Sequence, residues 1–374
     1  MLLLRRRLLG LVVAPLLVAQ CAPQQCAPAA PPPATVEEAW ANFDRDLSSR
    51  LLGGGASAAS VAVYQHGAPV HVAAYGQRLP WTGEPTEAGD RFRVASISKV
   101  VTAIVVLQLV ERGYLHLGQP VGGYIAGYLG VAPVDARFSG ITVRQLLSHT
   151  AGLGTFESLM FGGTVGSCPE AARRAVATRL GRAPGTGYTY SNMGYCLLGL
   201  LVEAIYGRPY EAVANEELLA PLGISGMRLA GTNDVRADEV FHWQLPGRNY
   251  MDVLGAAGSW IASSSDVVRI VDSLDPAKPG FHPLSPGTAD AMRALAPFRP
   301  SPDRWYGLGL ICFTDGTWGH TGTLESVHAM VLHRPDGLTW SILVSGDAPQ
   351  ESDDLRDIFN ELLGSSGART FLGV

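Results

Sequence analysis

Lysine is nearly absent from this chain: of 28 Lys and Arg residues, Lys99 and Lys278 alone are lysines. Wherever positive charge by itself was needed, arginine supplied it, so each lysine is a residue to explain. Charged residues make up only 16% of the chain and hydrophobic ones 47%. That balance excludes a disordered or fibrous protein and allows one large core or two smaller compartments in 374 residues. The net charge is −5 and the pI near 6.0, more acidic still once Arg5, Arg6 and Arg7 leave with a leader, which speaks against nucleic acid or an anionic membrane surface as partner. Five cysteines are too few for a disulfide scaffold and lack metal-binding spacing, so no metal or other cofactor is expected. There is no G-x-S-x-G elbow to support a Ser-His-Asp triad. Beyond the first twenty residues no apolar run is as long as a membrane helix.

What is present begins with "MLLLRRRLLGLVVAPLLVAQC", a basic cluster followed by an apolar run from Leu8 to Val18. This is the layout of a secretory signal, read here as a signal peptide over 1–20 ahead of a Pro/Ala-rich linker over 21–35 and one domain over 36–374. "LVAQC" resembles a bacterial lipoprotein signal, in which Cys21 would be lipidated and tether the protein to a membrane; Gln20 departs from the small residue usual before that cysteine. The expectation is an exported protein, periplasmic or at the cell surface, with the anchor left open. Cys168 and Cys196 can pair in such an oxidising compartment, whereas Cys312, in a strand-like segment, reads as a buried thiol.

Along the domain, Val36, Trp40, Phe43, Leu47 and Leu51 recur at helical spacing and stop at three glycines. "ASVAVYQHGAPVHVAAYGQR" reads as a hairpin about His66-Gly67. The run from Ile97 to Val110 is rich in β-branched residues but too long for a strand, and is read as a helix buried on all sides. Helical periodicity continues through "TVRQLLSHTAGL", "CPEAARRAVATRL", "YSNMGYCLLGLLVEAIYG" and "SSSDVVRIVDSL". "RWYGLGLICF", "ESVHAMVLHRP" and "LTWSILVSG" then read as three strands, closed by a helix from Ser352 to Leu363. The expected architecture is α+β: an antiparallel sheet from both ends of the domain (about 36–95 and 300–374), flanked by helices, with a helical part over about 96–299.

In "SISK", Ser96 and Lys99 stand one helical turn apart, so their side chains can touch. A serine hydroxyl needs a base, and a lysine can be one when burial weakens its hold on its proton. Arginine cannot serve. The plainer reading, a capping serine followed by a lysine that reaches for solvent, stays open on these four residues alone. Two further patterns bear on it: Tyr190-Ser191-Asn192 before an apolar helix, and His320-Thr321-Gly322 between two predicted strands, where it could equally be a turn.

Taken in order, "FRVASISK", "LLSHTAGL", "YSNMGYCLLG", "GAAGSWIASSSDVVRI" and "GHTG" resemble the β-lactamase and penicillin-binding superfamily of serine hydrolases from about residue 36 to 363. The closer resemblance is to the branch of class C β-lactamases, D-alanyl-D-alanine carboxypeptidases, D-aminopeptidases and esterases. It implies a β-lactamase/transpeptidase-like fold and a small-molecule or peptide substrate. It implies Ser96 as the acylated nucleophile, Lys99 as base or relay, and Tyr190 as proton shuttle, with the choice of base between Lys99 and Tyr190 open. Asn192 would hold the lysine or a substrate amide, His320, Thr321 and Gly322 would line the substrate strand, and the N–H groups of Ser96 and Thr323 would form the oxyanion hole. His149 is expected to fix a loop rather than act as a base.

One departure matters. Class C β-lactamases usually carry Lys-Thr-Gly where this chain has His320-Thr321-Gly322, and a histidine only partly charged near neutral pH holds a carboxylate less firmly. The expectation is therefore an ester or a D-amino-acid-terminated peptide as substrate. A β-lactamase, or a penicillin-binding sensor that acylates without turnover, is the alternative. Loops over 114–140, 154–168 and 226–254 should decide among substrates; oligomeric state is left open.

Overall fold

The computed structural model describes Pro33 and residues 35–374. The signal peptide, Cys21 and the linker apart from Pro33 and Thr35 lie outside the described residues.

Helix α1 spans Val36–Gly53. Thr35 caps it, its Oγ1 accepting from the Glu38 N–H at 3.1 Å, with Glu37 and Glu38 in the first turn and Arg50 in the last, as the helix dipole favours. Eleven strands follow in chain order: β1 (Ala56–Gln65), β2 (Ala68–Leu79), β3 (Glu84–Pro85), β4 (Phe92–Arg93), β5 (Arg228–Leu229), β6 (Trp260–Ala262), β7 (Arg304–Tyr306), β8 (Ile311–Phe313), β9 (Trp318–Leu324), β10 (Val327–His333) and β11 (Leu338–Gly346). The main sheet has the order β3-β2-β1-β11-β10-β9-β8-β7. Its N- and C-terminal halves join where β1 pairs antiparallel with β11, Val61 opposite Ile342. The hairpin β1–β2 turns on His66 and Gly67, both at positive φ (49° and 85°), the backbone a two-residue turn needs to match strand twist.

Alternation along β1 assigns its two faces. Ala59, Val61 and Val63 join the core formed with Phe43, Leu47, Trp340 and Phe359, under α1 and the C-terminal helix Asp354–Ser365. Ala62 and Tyr64 face Val268 of the helix Ser264–Asp272. That helix belongs by sequence to the expected helical part, yet it packs on the sheet.

Helix α2 (Ser98–Glu111) runs through the larger core and is buried from Ser98 to Leu109. Its β-branched residues each lose up to about 0.7 kcal/mol of helix propensity, but burying each gains roughly 1.5–3 kcal/mol. Burial therefore decides the local structure. The helix Asn192–Tyr206 lies against it.

One sequence expectation needs correcting, and two features were not legible. "RWYGLGLICF" forms two short strands, because Gly309, at φ 85°, lies so close to α2 that a Cβ would come within 2.3 Å of the Ala103 Cβ. The His320-Thr321-Gly322 segment, which the local pattern left open as a turn and the family resemblance put on a strand, is part of strand β9; its glycines masked the strand signal. A small second sheet, β4-β6-β5, had no legible pattern, since its strands are only two or three residues long. No described helix is long and apolar enough to cross a membrane.

Candidate active site

Ser96 lies between β4 and α2, in a 3₁₀ turn over Ala95–Ile97, rather than on the α-helix itself. Ala95 sits at φ 47°, a left-handed conformation that costs a non-glycine residue roughly 1–2 kcal/mol and that the surrounding core must hold. The turn leaves Ser96 half-buried while Lys99, inside the helix, has no exposed surface.

Lys99 Nζ stands 2.9 Å from Ser96 Oγ, 2.8 Å from Asn192 Oδ1 and 2.7 Å from the Ala257 carbonyl oxygen. All three partners are neutral. The rings of Tyr190 and Tyr195 lie 5.0 and 5.7 Å from the same nitrogen and favour its charged form modestly. Burial outweighs them and holds the ammonium pKa well below its ordinary range. The Tyr190 hydroxyl lies near Ser96, and burial pushes its phenol pKa up, so it stays protonated near neutral pH.

His149 fixes the loop that carries Tyr190. Its Nδ1 accepts from the Ser191 N–H at 3.1 Å, its carbonyl accepts from the Thr189 N–H at 2.9 Å, and Ser191 Oγ donates to the Gly154 carbonyl at 2.7 Å. Its ring packs against Tyr190 with centroids 4.2 Å apart. Burial drives its pKa well below normal, so the ring is neutral.

His320 requires a correction. It is 1% exposed, and both ring nitrogens are engaged: Nδ1 with the Thr321 carbonyl at 2.6 Å and Nε2 with the Tyr306 hydroxyl at 3.0 Å. A neutral ring that donates from Nδ1 and accepts at Nε2 satisfies both contacts. Burial and the nearby Lys99 lower its pKa to about 3. The sequence reading of a partly charged ring is thereby corrected to a neutral one, which holds a carboxylate less firmly still. Tyr306, which sequence reasoning missed, closes this wall; a tyrosine before "GLG" carries no signal separating it from ordinary packing.

Strand β9 meets β8 only through Trp318 and Gly319, so its edge from His320 onward is open. That open edge borders the turn holding Ser96. A Cβ on Gly322 would fall 2.3 Å from the Val94 carbonyl oxygen and 3.1 Å from the Ala95 Cβ, so glycine alone lets β9 approach the turn holding Ser96. Thr321 is half-buried and Thr323 exposed, the latter sharing a 2.6 Å hydrogen bond with Ser352. Gly322 thus brings the two expected oxyanion-hole segments side by side.

Cys168 and Cys196, whose pairing the sequence left open, form a disulfide that ties the helix Cys168–Val176 to the helix Asn192–Tyr206. Cys312 is a buried free thiol.

Residues 34–364 match the Beta-lactamase family. The chain is similar to a putative fimbrial assembly protein, FimD of serogroup D from Dichelobacter nodosus, with 28% identity over 291 residues, 73% of this chain and 70% of that protein. It is also similar to Esterase EstB of Burkholderia gladioli, with 28% identity over 282 residues, 70% of this chain and 69% of that one. Among solved structures, SurE with D-Leu superposes with a TM-score of 0.70 at 26% identity, covering 88% of this chain and 74% of that one. The chain belongs to the Beta-lactamase family of serine hydrolases.

Proposed function

We propose that this family member hydrolyses an ester or a D-amino-acid-terminated peptide through an acyl-enzyme on Ser96. The observation that carries the reading is Lys99, buried against Ser96 Oγ with only neutral acceptors around it. A neutral lysine has two N–H bonds and one lone pair. Donating to Asn192 Oδ1 and to the Ala257 carbonyl uses both N–H bonds and leaves the lone pair for the Ser96 hydroxyl proton. Lys99 is therefore the base, and the protonated Tyr190, near Ser96, delivers the proton to the leaving group as the tetrahedral intermediate collapses. The N–H groups of Ser96 and Thr323 stabilise the oxyanion. Water then releases the acyl group by the same proton path in reverse.

The neutral His320 weighs against efficient β-lactam hydrolysis, because it offers no cation to a substrate carboxylate on β9. The similarity to an esterase and to a structure solved with D-Leu supports the substrate class. Export to the periplasm or cell surface fits the leader and the disulfide, with Cys21 as the lipidation site; globomycin-sensitive radiolabelling by palmitate, lost in Cys21→Ala, tests it.

The mechanism is tested by incubating wild type and Ser96→Ala with an activated ester and a fluorescent penicillin, then measuring intact mass. The expected result is an adduct on wild type alone. Equal labelling of the two proteins overturns the covalent mechanism, and a burst without later product release overturns turnover. Short acyl esters, D-Ala-D-Ala peptides and a chromogenic cephalosporin then rank the substrates.

A further inference from the structure

Beside the strand that feeds the nucleophile, between the segments 232–235 and 241–248, lies a cavity of about 440 Å³. Two arginines, Arg93 and Arg248, line it together with Thr232, Asn233, Gln244 and Trp243, and no carboxylate does. Arg248 is met by Glu325, Nε to Oε1 at 3.2 Å. Arg93 has no such partner.

Arg93 is 5% exposed. Its guanidinium donates to Gln244 Oε1 at 3.0 Å, to the Tyr250 hydroxyl at 3.3 Å and to the Thr232 carbonyl at 2.6 Å. All are neutral, and a guanidinium cannot shed its proton to escape the cost of burial. Glu239 is held bidentate by Arg228, with both contacts at 2.8 Å. Asp252 accepts from the Thr232 N–H at 3.2 Å. A buried charge ordinarily has a counter-charge, and here the wall of an open cavity stands where one would be.

The neutral groups around it are set as donors. Thr232 is 2% exposed, and its hydroxyl is buried without a hydrogen-bond partner, a cost that a bound acceptor would remove. Gln244 turns its oxygen to Arg93 and donates from Nε2 to Asn233 Oδ1 at 3.0 Å. That contact fixes the Asn233 amide and leaves its NH₂ group to donate elsewhere. The exposed Trp243 gives the cavity an aromatic lip.

The position relates the cavity to the chemistry. Arg93 precedes Ser96 by three residues, so their Cα atoms are no more than about 11 Å apart. The Arg93 N–H donates to His242 Nε2 at 3.1 Å, and His242 Nδ1 bonds the Ser326 carbonyl at 3.1 Å in the β9–β10 turn. The cavity wall is thereby tied both to the strand before the nucleophile and to the end of the open β9 edge.

We propose that this cavity is a carboxylate subsite, in which Arg93, Thr232 and Asn233 hold a carboxylate of the same molecule whose ester or amide carbonyl lies at Ser96. The subsite rests on the reading of Ser96 as nucleophile. It moves carboxylate recognition from His320, which has no charge to offer, to Arg93. The carboxylate is carried either on the acyl arm, as in a hemiester of a dicarboxylic acid, or on the leaving group, as in a peptide or depsipeptide terminus.

The experiment compares kcat/KM for matched pairs in two arms. One arm sets mono-p-nitrophenyl succinate, glutarate and adipate against neutral acyl esters of equal length. The other sets depsipeptides ending in a free carboxylate against their methyl esters. The expected result is a preference of about tenfold or more for the carboxylated member in one arm, which names the source. That ratio should fall several-fold in the near-isosteric Thr232→Val and in the exposed Asn233→Ala, both less disruptive than replacing the buried arginine. Ratios near one in both arms, or a ratio that neither variant changes, overturn the subsite. If no ester acylates Ser96, the hydrolase reading fails separately. Calorimetry of glutarate and N-acetyl-D-alanine with the wild-type chain then decides the subsite: binding weakened by Thr232→Val supports it, and no binding overturns it.

Discussion

Gly322 and Val94 are in backbone contact: the place a Gly322 Cβ would occupy is 2.3 Å from the Val94 carbonyl oxygen. This contact sets the distance between strand β9 and the turn that presents Ser96. Gly322→Ala must push the two apart. The expected cost is roughly 1–3 kcal/mol of stability together with a loss of acylation rate. Urea unfolding and the burst with an activated ester measure the two effects, and wild-type values for both would show that the approach is not tight.

Lys99 is expected to make both activity and stability depend on pH. Its folded pKa lies well below the ordinary 10.5, so between those two values the unfolded chain binds one more proton than the folded one. Stability therefore rises with pH across that window. Lys99→Gln, which keeps an amide donor near Asn192 and Ala257, should flatten that rise. Lys99→Arg should lower kcat/KM by about 10²–10⁴-fold, because arginine cannot accept the serine proton. In wild type, kcat/KM should fall as pH drops through the depressed lysine pKa. A profile flat on the acid side would remove Lys99 as the base.

Acid should destabilise the fold through its buried neutral histidines. Burial lowers His242 and His320 to about 3, against an ordinary value of 6.5, and lowers His149 well below normal. Between about 3 and 6.5 the unfolded chain takes up protons that the folded chain refuses, so stability falls as pH falls through that range. Each histidine contributes roughly 1 kcal/mol per pH unit once well below 6.5. Thermal unfolding at pH 7 and 5 should show a smaller difference for His242→Gln than for wild type, and an equal difference would exclude His242 from the effect.

The Cys168–Cys196 disulfide closes a loop with a sequence separation of 28 residues. For a loop of that length the chain-entropy stabilisation is about 3–4 kcal/mol. Cys196→Ser should lower the urea midpoint accordingly, as should reduction of wild type. Reduction should leave the midpoint of Cys196→Ser unchanged.

The pairing of Ser96 with Lys99 was legible before folding because it is local. Ser96 and Lys99 meet through three residues of spacing, and the scarcity of lysine made the pair conspicuous. The strands β1, β2, β10 and β11 and the helices α1 and α2 could be read from the spacing and length of their apolar runs. Strand β9 and the small sheet β4-β6-β5 could not, because glycines and two- or three-residue strands carry no periodicity. His320 shows the limit most clearly. Its charge state depends on burial and on the hydroxyl of Tyr306, fourteen residues earlier in the chain.

The sequence by itself determined the spacing of Ser96 and Lys99, the helix that carries Lys99, the hairpin at the start of the sheet and the family pattern, all features written in spacing, composition and short motifs. Tertiary structure alone decided which groups carry charge. Lys99 loses its hold on a proton because packing buries it completely with no counter-ion beside it. Arg93 keeps its charge against an open cavity because no carboxylate folds onto it. Both outcomes are set by the dielectric and the partners that distant segments bring together, and neither quantity exists in the chain until those segments pack.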